Sequence, residues 1–211
     1  MLQYIISKIH NIEYLNLSFF NIINDNINFI NNITKLTKLN LEHSNINDNH
    51  IQLLLKAKNI CDLNISHCKN LTGDCMKYIA DLKNLQNLNL SYCCGIRRGD
   101  ALQCLEKLHN LISLNLSHFC GANDGLVYIS KINNLEKLDI TKNKLNINNI
   151  KYLKNNKKLD IFYITTENIN DIINVTDLKI INIYNECSSV LHSCKYYYYY
   201  TKRCEIEMTF N

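Results

Sequence analysis

A chain of 211 residues with 46% hydrophobic content is long enough to bury a core as one large domain or two small ones. Its 23 Lys+Arg against 19 Asp+Glu leave a net charge of only +4, short of the clustered basic footprint that backbone-phosphate binding requires, so no nucleic-acid partner is expected. The start, MLQYIISKIHNIEY, offers neither a basic leader with an apolar run nor a stretch of membrane length; the expectation is a cytoplasmic protein, a nuclear location staying open, with no membrane contact. Ten cysteines in such a chain are expected as reduced thiols. About one residue in six is Asn and there is no Pro, a bias read here as coding drift rather than chemistry.

Residues 2–9, with Ile6 and Ile9 leading into Ile12, fit the helical half of a repeat and predict a first strand whose edge is poorly protected, a place for homotypic contact. From there an apolar pattern at positions 1, 4 and 6 recurs: IEYLNLS, LTKLNLE, ICDLNIS, LQNLNLS, LISLNLS, LEKLDIT, LDIFYIT and LKIINIY. The copies begin at Ile12, Leu36, Ile60, Leu85, Leu111, Leu135, Leu159 and Leu178, with spacings of 24, 24, 25, 26, 24, 24 and 19. Alternation at positions 4 and 6 predicts a short strand at the start of each copy.

After each strand the period changes. Met76, Ile79 and Leu82 lead into Leu85; Leu102, Leu105 and Leu108 into Leu111; Leu126, Ile129 and Ile132 into Leu135. These form one helical stripe facing the strands. Asn47-Asp48, Thr72-Gly73-Asp74, Gly99-Asp100 and Asn123-Asp124 stand before the stripes as turn and cap residues. A strand–turn–helix unit cannot bury its own apolar face, so the units stack. The expected fold is an α/β solenoid, a horseshoe of about eight parallel strands on the concave face with helices on the convex face. It spans 1–187, followed by a Tyr-rich tail at 188–211 that either adds a closing strand or is poorly ordered.

Positions 3, 5 and 7 are expected to point out from the concave sheet in columns. Position 5 is an amide column through Asn89, Asn115 and Asp139, read either as a ladder stabilising the sheet or as a neutral hydrogen-bonding surface for a protein. Lys137 stands at position 3, where the residues vary most. Ile161, Tyr163, Ile180 and Tyr184 would form an apolar and aromatic patch at the C-terminal end, the expected partner-contact site unless the tail covers it. Position 8 places His43 beside His67, read as surface histidines, with a shared metal or a pH response as the alternative. No third ligand stands at an obvious spacing. Cys68 and Cys93, at position 9, are expected in the buried turn; Cys187, Cys194 and Cys204 lack the short ligand pairs of zinc sites. No phosphate-cradling glycine loop or Cys/His catalytic arrangement is present, so neither catalytic residues, nor a cofactor, nor a metal is expected.

On these motifs the chain resembles the leucine-rich-repeat family, and ICDLNISHCKNLTGDCMKYIADLKN resembles the cysteine-containing subclass found in substrate-binding arms of F-box ubiquitin-ligase subunits. The resemblance implies a non-catalytic module that binds a protein partner on its concave face, as a substrate receptor or adaptor of a ubiquitin ligase. No F-box-like segment is read before the repeats, so that role would draw on a second chain or on a further N-terminal part. The alternatives are a regulatory subunit of a phosphatase or small GTPase, and an assembly scaffold.

Overall fold

The computed structural model describes residues 11–22, 27, 30, 32–156 and 158–159, together with the backbone of 161–165 and 180–184. Each copy of the repeat yields a strand of three to five residues: β1 Tyr14–Asn16, β2 Lys38–Asn40, β3 Asp62–Asn64, β4 Asn87–Asn89, β5 Ser113–Asn115, β6 Lys137–Ile140, β7 Ile161–Thr165 and β8 Ile180–Tyr184. They form one parallel sheet in sequence order, β1 to β8. The register joins equal positions of successive copies, Leu39 to Leu63, Leu63 to Leu88 and Leu88 to Leu114. The result is the expected horseshoe, with strands on the concave face.

The core lies between the sheet and the outer layer. Position 4 is buried from Leu39 to Leu138, and position 6 from Leu17 to Ile140. The three predicted stripes meet them from outside, with Met76, Ile79 and Leu82, then Leu102, Leu105 and Leu108, then Leu126, Ile129 and Ile132 all buried. Repeat-to-repeat burial of this kind is what stabilises a solenoid, because each unit borrows its core from its neighbours.

The outer layer departs from the expected helices. Short α-helices run over Asp48–Leu53, Cys75–Ile79, Ala122–Ile129 and Ile147–Ile150, but Gly99–Lys107 is a nine-residue 3-10 helix. Its apolar residues fall every third position, the period of the tighter helix, so one face stays buried throughout. Of the expected caps, Asn47 accepts from His50 N at 3.2 Å while His50 Nδ1 accepts from Asn47 N at 3.0 Å. Asp74 makes no side-chain cap bond, and Asn123-Asp124 lie inside their helix. Instead Asp48 reaches the next repeat, accepting from Thr72 N at 2.9 Å and Thr72 Oγ1 at 2.5 Å. Polar groups at these corners therefore tie repeat to repeat.

Close backbone approach explains Gly99 in the outer layer: a Cβ there would lie 2.5 Å from Gly125 N, whereas one at Gly125 would meet the end of the Leu102 side chain. No helix among the described residues is long and apolar enough to cross a membrane. Residues 1–10, on which the expectation about the first strand edge rested, and the tail at 188–211 lie outside the described residues.

Leu63 is fully buried at the centre of the sheet. Leu63→Ala should cost about 2–5 kcal/mol in urea unfolding, whereas exposed Lys38→Ala should change stability by less than about 0.5 kcal/mol.

Candidate functional site

The C-terminal ends of β1 to β6 are built by two devices acting together. In the first, the position-5 side chain turns back on its own strand and accepts the amide of position 7. Asn16 Oδ1 takes Ser18 N at 2.9 Å, Asn64 takes Ser66 N at 3.1 Å, Asn89 takes Ser91 N at 3.0 Å, and Asn115 takes Ser117 N at 2.9 Å. Asp139 does the same for Thr141, accepting its N at 2.9 Å and its Oγ1 at 2.8 Å. The amide column thus holds the turns through bonds that run along each strand, where a ladder would have run between strands.

In the second device the chain turns, with position 9 donating to the position-6 carbonyl, as in Ser44 N to Leu41 O at 3.1 Å and Cys93 N to Leu90 O at 3.2 Å. Position 8 is the third residue of that turn, a place that ordinarily calls for Gly or Asn. Here it is Phe19, His43, His67, Tyr92, His118 and Lys142, all with φ between 53° and 59°. An L-residue in this conformation costs about 1–2 kcal/mol.

Strand pairing continues through these residues, since His43 N donates to Ser66 O and His67 N to Ser91 O, both at 2.9 Å. Side chains at position 8 are therefore held one strand spacing apart, close to the separation at which aromatic rings stack. Ring centroids lie 4.6 Å apart for Phe19–His43, 3.9 Å for His43–His67, 4.1 Å for His67–Tyr92 and 4.0 Å for Tyr92–His118. Interplanar angles of 10° to 20° make this one continuous stack of five rings across five repeats. Phe19, at 73% exposure, and Tyr92, at 37%, leave the ridge open to solvent. The His67 imidazole has its pKa lowered, first by partial burial and then by His43 and Lys69, against an opposing pull from Glu42.

Below the ridge the thiols are inert. Cys68 Sγ donates to Leu41 O at 3.2 Å and Cys93 Sγ to Ile65 O at 3.1 Å, each reaching the preceding repeat. Burial pushes Cys68 up to about 11 and Cys93 up to about 12, with Cys75 higher still. Asn143 fills the same position two repeats after Cys93, accepting from Phe119 N at 2.7 Å and donating to Leu116 O at 2.8 Å. Cys94 and Cys120 are exposed on neighbouring repeats.

Of the residues expected to contact a partner, Lys137 is exposed on the sheet, while Asn89, Asn115 and Asp139 are half-buried with their oxygens engaged in the turns. The backbone register pairs Ile161 with Ile180, Tyr163 with Asn182 and Thr165 with Tyr184. The side chains of Ile161, Tyr163, Ile180 and Tyr184 lie outside the described residues. A further ladder escaped the sequence reading: Asn59, Asn84 and Asn110 donate to Thr34 O, Lys58 O and Lys83 O at 2.7, 2.8 and 2.9 Å, and Asn134 donates to His109 O. Part of the Asn excess is thus structural. The signal was there as an Asn immediately before position 1 in four successive copies.

Parallel register, a turn through a positive-φ residue after each of β1 to β6 and a period-three outer layer define a leucine-rich-repeat solenoid. Two solved structures share this fold: an internalin (inlF) from Listeria monocytogenes, with a TM-score of 0.60 and 22% identity over 89% of this chain and 52% of that one, and TLR13 in its complex with ssRNA13, with a TM-score of 0.57 and 17% identity over 84% and 24%. The chain therefore spans about half the length of the internalin. No family model and no curated protein matches it.

Tyr92→Ala removes two ring stacks, worth about 0.5–1.5 kcal/mol each, without relieving the positive φ, and should destabilise by about 1–3 kcal/mol. Tyr92→Gly also releases about 1–2 kcal/mol of backbone strain and should fall closer to wild type in the same urea experiment. Equal stabilities for Ala and Gly would show that the strain is not there. Among the described cysteines of the native protein, iodoacetamide should modify Cys94 and Cys120 first by mass spectrometry, leaving Cys68, Cys75 and Cys93 unlabelled until urea unfolds the chain.

Proposed function

We propose that this chain is a non-catalytic protein-interaction module whose concave sheet and flanking aromatic ridge receive a protein partner. The observation that carries the reading is an exposed ridge of stacked rings, with Phe19 at 73% exposure, beside a polar sheet face. Aromatic side chains held rigidly in this way lose little freedom on binding, and partner binding energy concentrates on such residues. The sheet face beside them carries Lys38 and Lys137 against Asp62 and Glu42, with Asn and Ser between. A surface of both signs suits a protein better than the phosphate backbone of a nucleic acid.

A finer form of the proposal, a substrate receptor or adaptor of a ubiquitin ligase, draws on the cysteine-containing turns at Cys68 and Cys93. Its mark would be a ligase core among the captured proteins. A phosphatase or small GTPase in its place would favour the regulatory reading.

The test is affinity capture from extract with three folded proteins side by side: wild type, a concave variant Lys38→Glu/Lys137→Glu, and a convex control Lys77→Glu/Lys107→Glu. Both altered pairs are exposed, so melting temperatures should hold within a few degrees. The expected result is a partner retained by wild type and control and weakened about tenfold or more by the concave variant. A partner lost only by the convex control would place the interface on the opposite face and sink the proposal. Adding Ile161→Ser, Tyr163→Ser and Ile180→Ser as a fourth protein tests whether the contact extends to β7 and β8.

A further inference from the structure

The ring ridge contains a feature that protein binding alone does not explain. Across the eight copies, position 7 is a carboxylate only at Glu42, and position 8 is His in two successive copies only at His43 and His67. The two singular features fall together: one ligand atom from each of Glu42, His43 and His67 lies within 4.8 Å of the others. We propose that Glu42, His43 and His67 form a binding site for a divalent transition-metal ion of the Zn2+ or Ni2+ class, taken up by turning the exposed His43 ring out of the stack.

The donor set defines the class. Two imidazoles and one carboxylate suit borderline ions such as Zn2+ and Ni2+, whereas Ca2+ and Mg2+ seek oxygen alone. Three protein ligands also leave a fourth tetrahedral position open to water or to a partner's side chain. The backbone beneath the ligands is pinned: Glu42 N is held by Asn40 Oδ1 at 3.0 Å, His43 N by Ser66 O and His67 N by Ser91 O, both at 2.9 Å. Binding therefore needs only side-chain rotation.

The stack itself dictates the ring movement. With the imidazoles 3.9 Å apart and 16° from parallel, their in-plane lone pairs run side by side, and an ion about 2.0–2.1 Å from each nitrogen would sit far out of both ring planes. One ring must turn for the lone pairs to converge. His43 is the more exposed of the two and has Phe19 on its other face, so it turns at the expense of the Phe19–His43 and His43–His67 stacks. His67 can remain against Tyr92. Metal binding and stacking at His43 are thus mutually exclusive.

The experiment uses the full chain carrying Cys94→Ser, Cys120→Ser, Cys187→Ser, Cys194→Ser and Cys204→Ser, so that neither the exposed thiols among the described residues nor the three C-terminal ones compete, with 13C-labelled histidine and Zn2+ as the probe. The ring signals of His43 and His67 should shift together and saturate at one ion per chain, while His109 and His118 stay in place. His67→Asn and Glu42→Gln should each weaken that titration about tenfold or more, and His118→Asn should leave it unchanged. Glu42→Gln keeps the shape of the side chain, so a loss there is not a loss of fold. Unmoved His43 and His67 signals, or Glu42→Gln and His67→Asn titrating like wild type, would overturn the site. This outcome is independent of whether a protein partner binds the concave face.

Discussion

Parallel pairing in register places equal positions of successive repeats about 4.8 Å apart, and nearly every other feature of the molecule derives from that spacing. A residue type repeated at one position becomes a column. Leucines at position 4 become a continuous core, and Asn before position 1 becomes a ladder of amide-to-carbonyl bonds. Rings at position 8 become a stack because the strand spacing is close to the distance at which aromatic faces meet. The rings need no pocket; the sheet brings them face to face.

Position 8 shows how two unfavourable choices become mutually supporting. A turn that follows the strand directly forces a positive φ, and Gly would satisfy it at no steric cost. Gly, however, offers nothing to the neighbouring repeat. A ring there incurs backbone strain of about 1–2 kcal/mol but gains a stack on each side of about 0.5–1.5 kcal/mol, so the interior members of the row come out roughly even. The Asn or Asp at position 5 makes the turn feasible by accepting the position-7 amide. Residues 5, 7 and 8 are accordingly one device, repeated.

The sheet, its register and most of its core were legible because they depend on period alone: position 4 of the described copies from Leu39 to Leu138 is buried as the alternation requires. The outer layer was less legible, since apolar residues three apart fit an α-helix and a 3-10 helix alike, and Gly99–Lys107 took the second. The members of the ridge could be named from the sequence, yet their stacking could not, because nothing in Phe, His or Tyr announces a left-handed backbone. The repeat had already set His43 beside His67; Glu42 was missed because position 7 was read as one of the concave-face columns, apart from position 8, while the turn brings its carboxylate within reach of both rings. The Asn ladder before position 1 was hidden by the composition itself, which made each Asn look accidental.

Vertical bonding also determines where specificity can reside. At positions 5 and 9, and just before position 1, side chains are committed to the main chain of their own or the preceding repeat, as with Asn89, Cys93 and Asn84. Changing any of these alters the stack before it alters a surface. The side chains at positions 3 and 7 are not committed in this way to the main chain of a neighbouring repeat: position 3 runs through Lys38, Asp62, Asn87, Ser113 and Lys137, and position 7, just past the strand, departs once from hydroxyl residues in the first six copies, at Glu42. Charge can vary at little cost at position 3, and at position 7 where the column stays open to solvent, as at Glu42, whereas Ser66 and Ser91 of the same column are buried. The departures cluster at the second and third repeats and again at the sixth, so the surface is not uniform along the horseshoe. A partner reading this face would find its electrostatic landmarks at Lys38, Glu42 and Asp62 and at Lys137, separated by a neutral stretch of Asn and Ser two repeats wide.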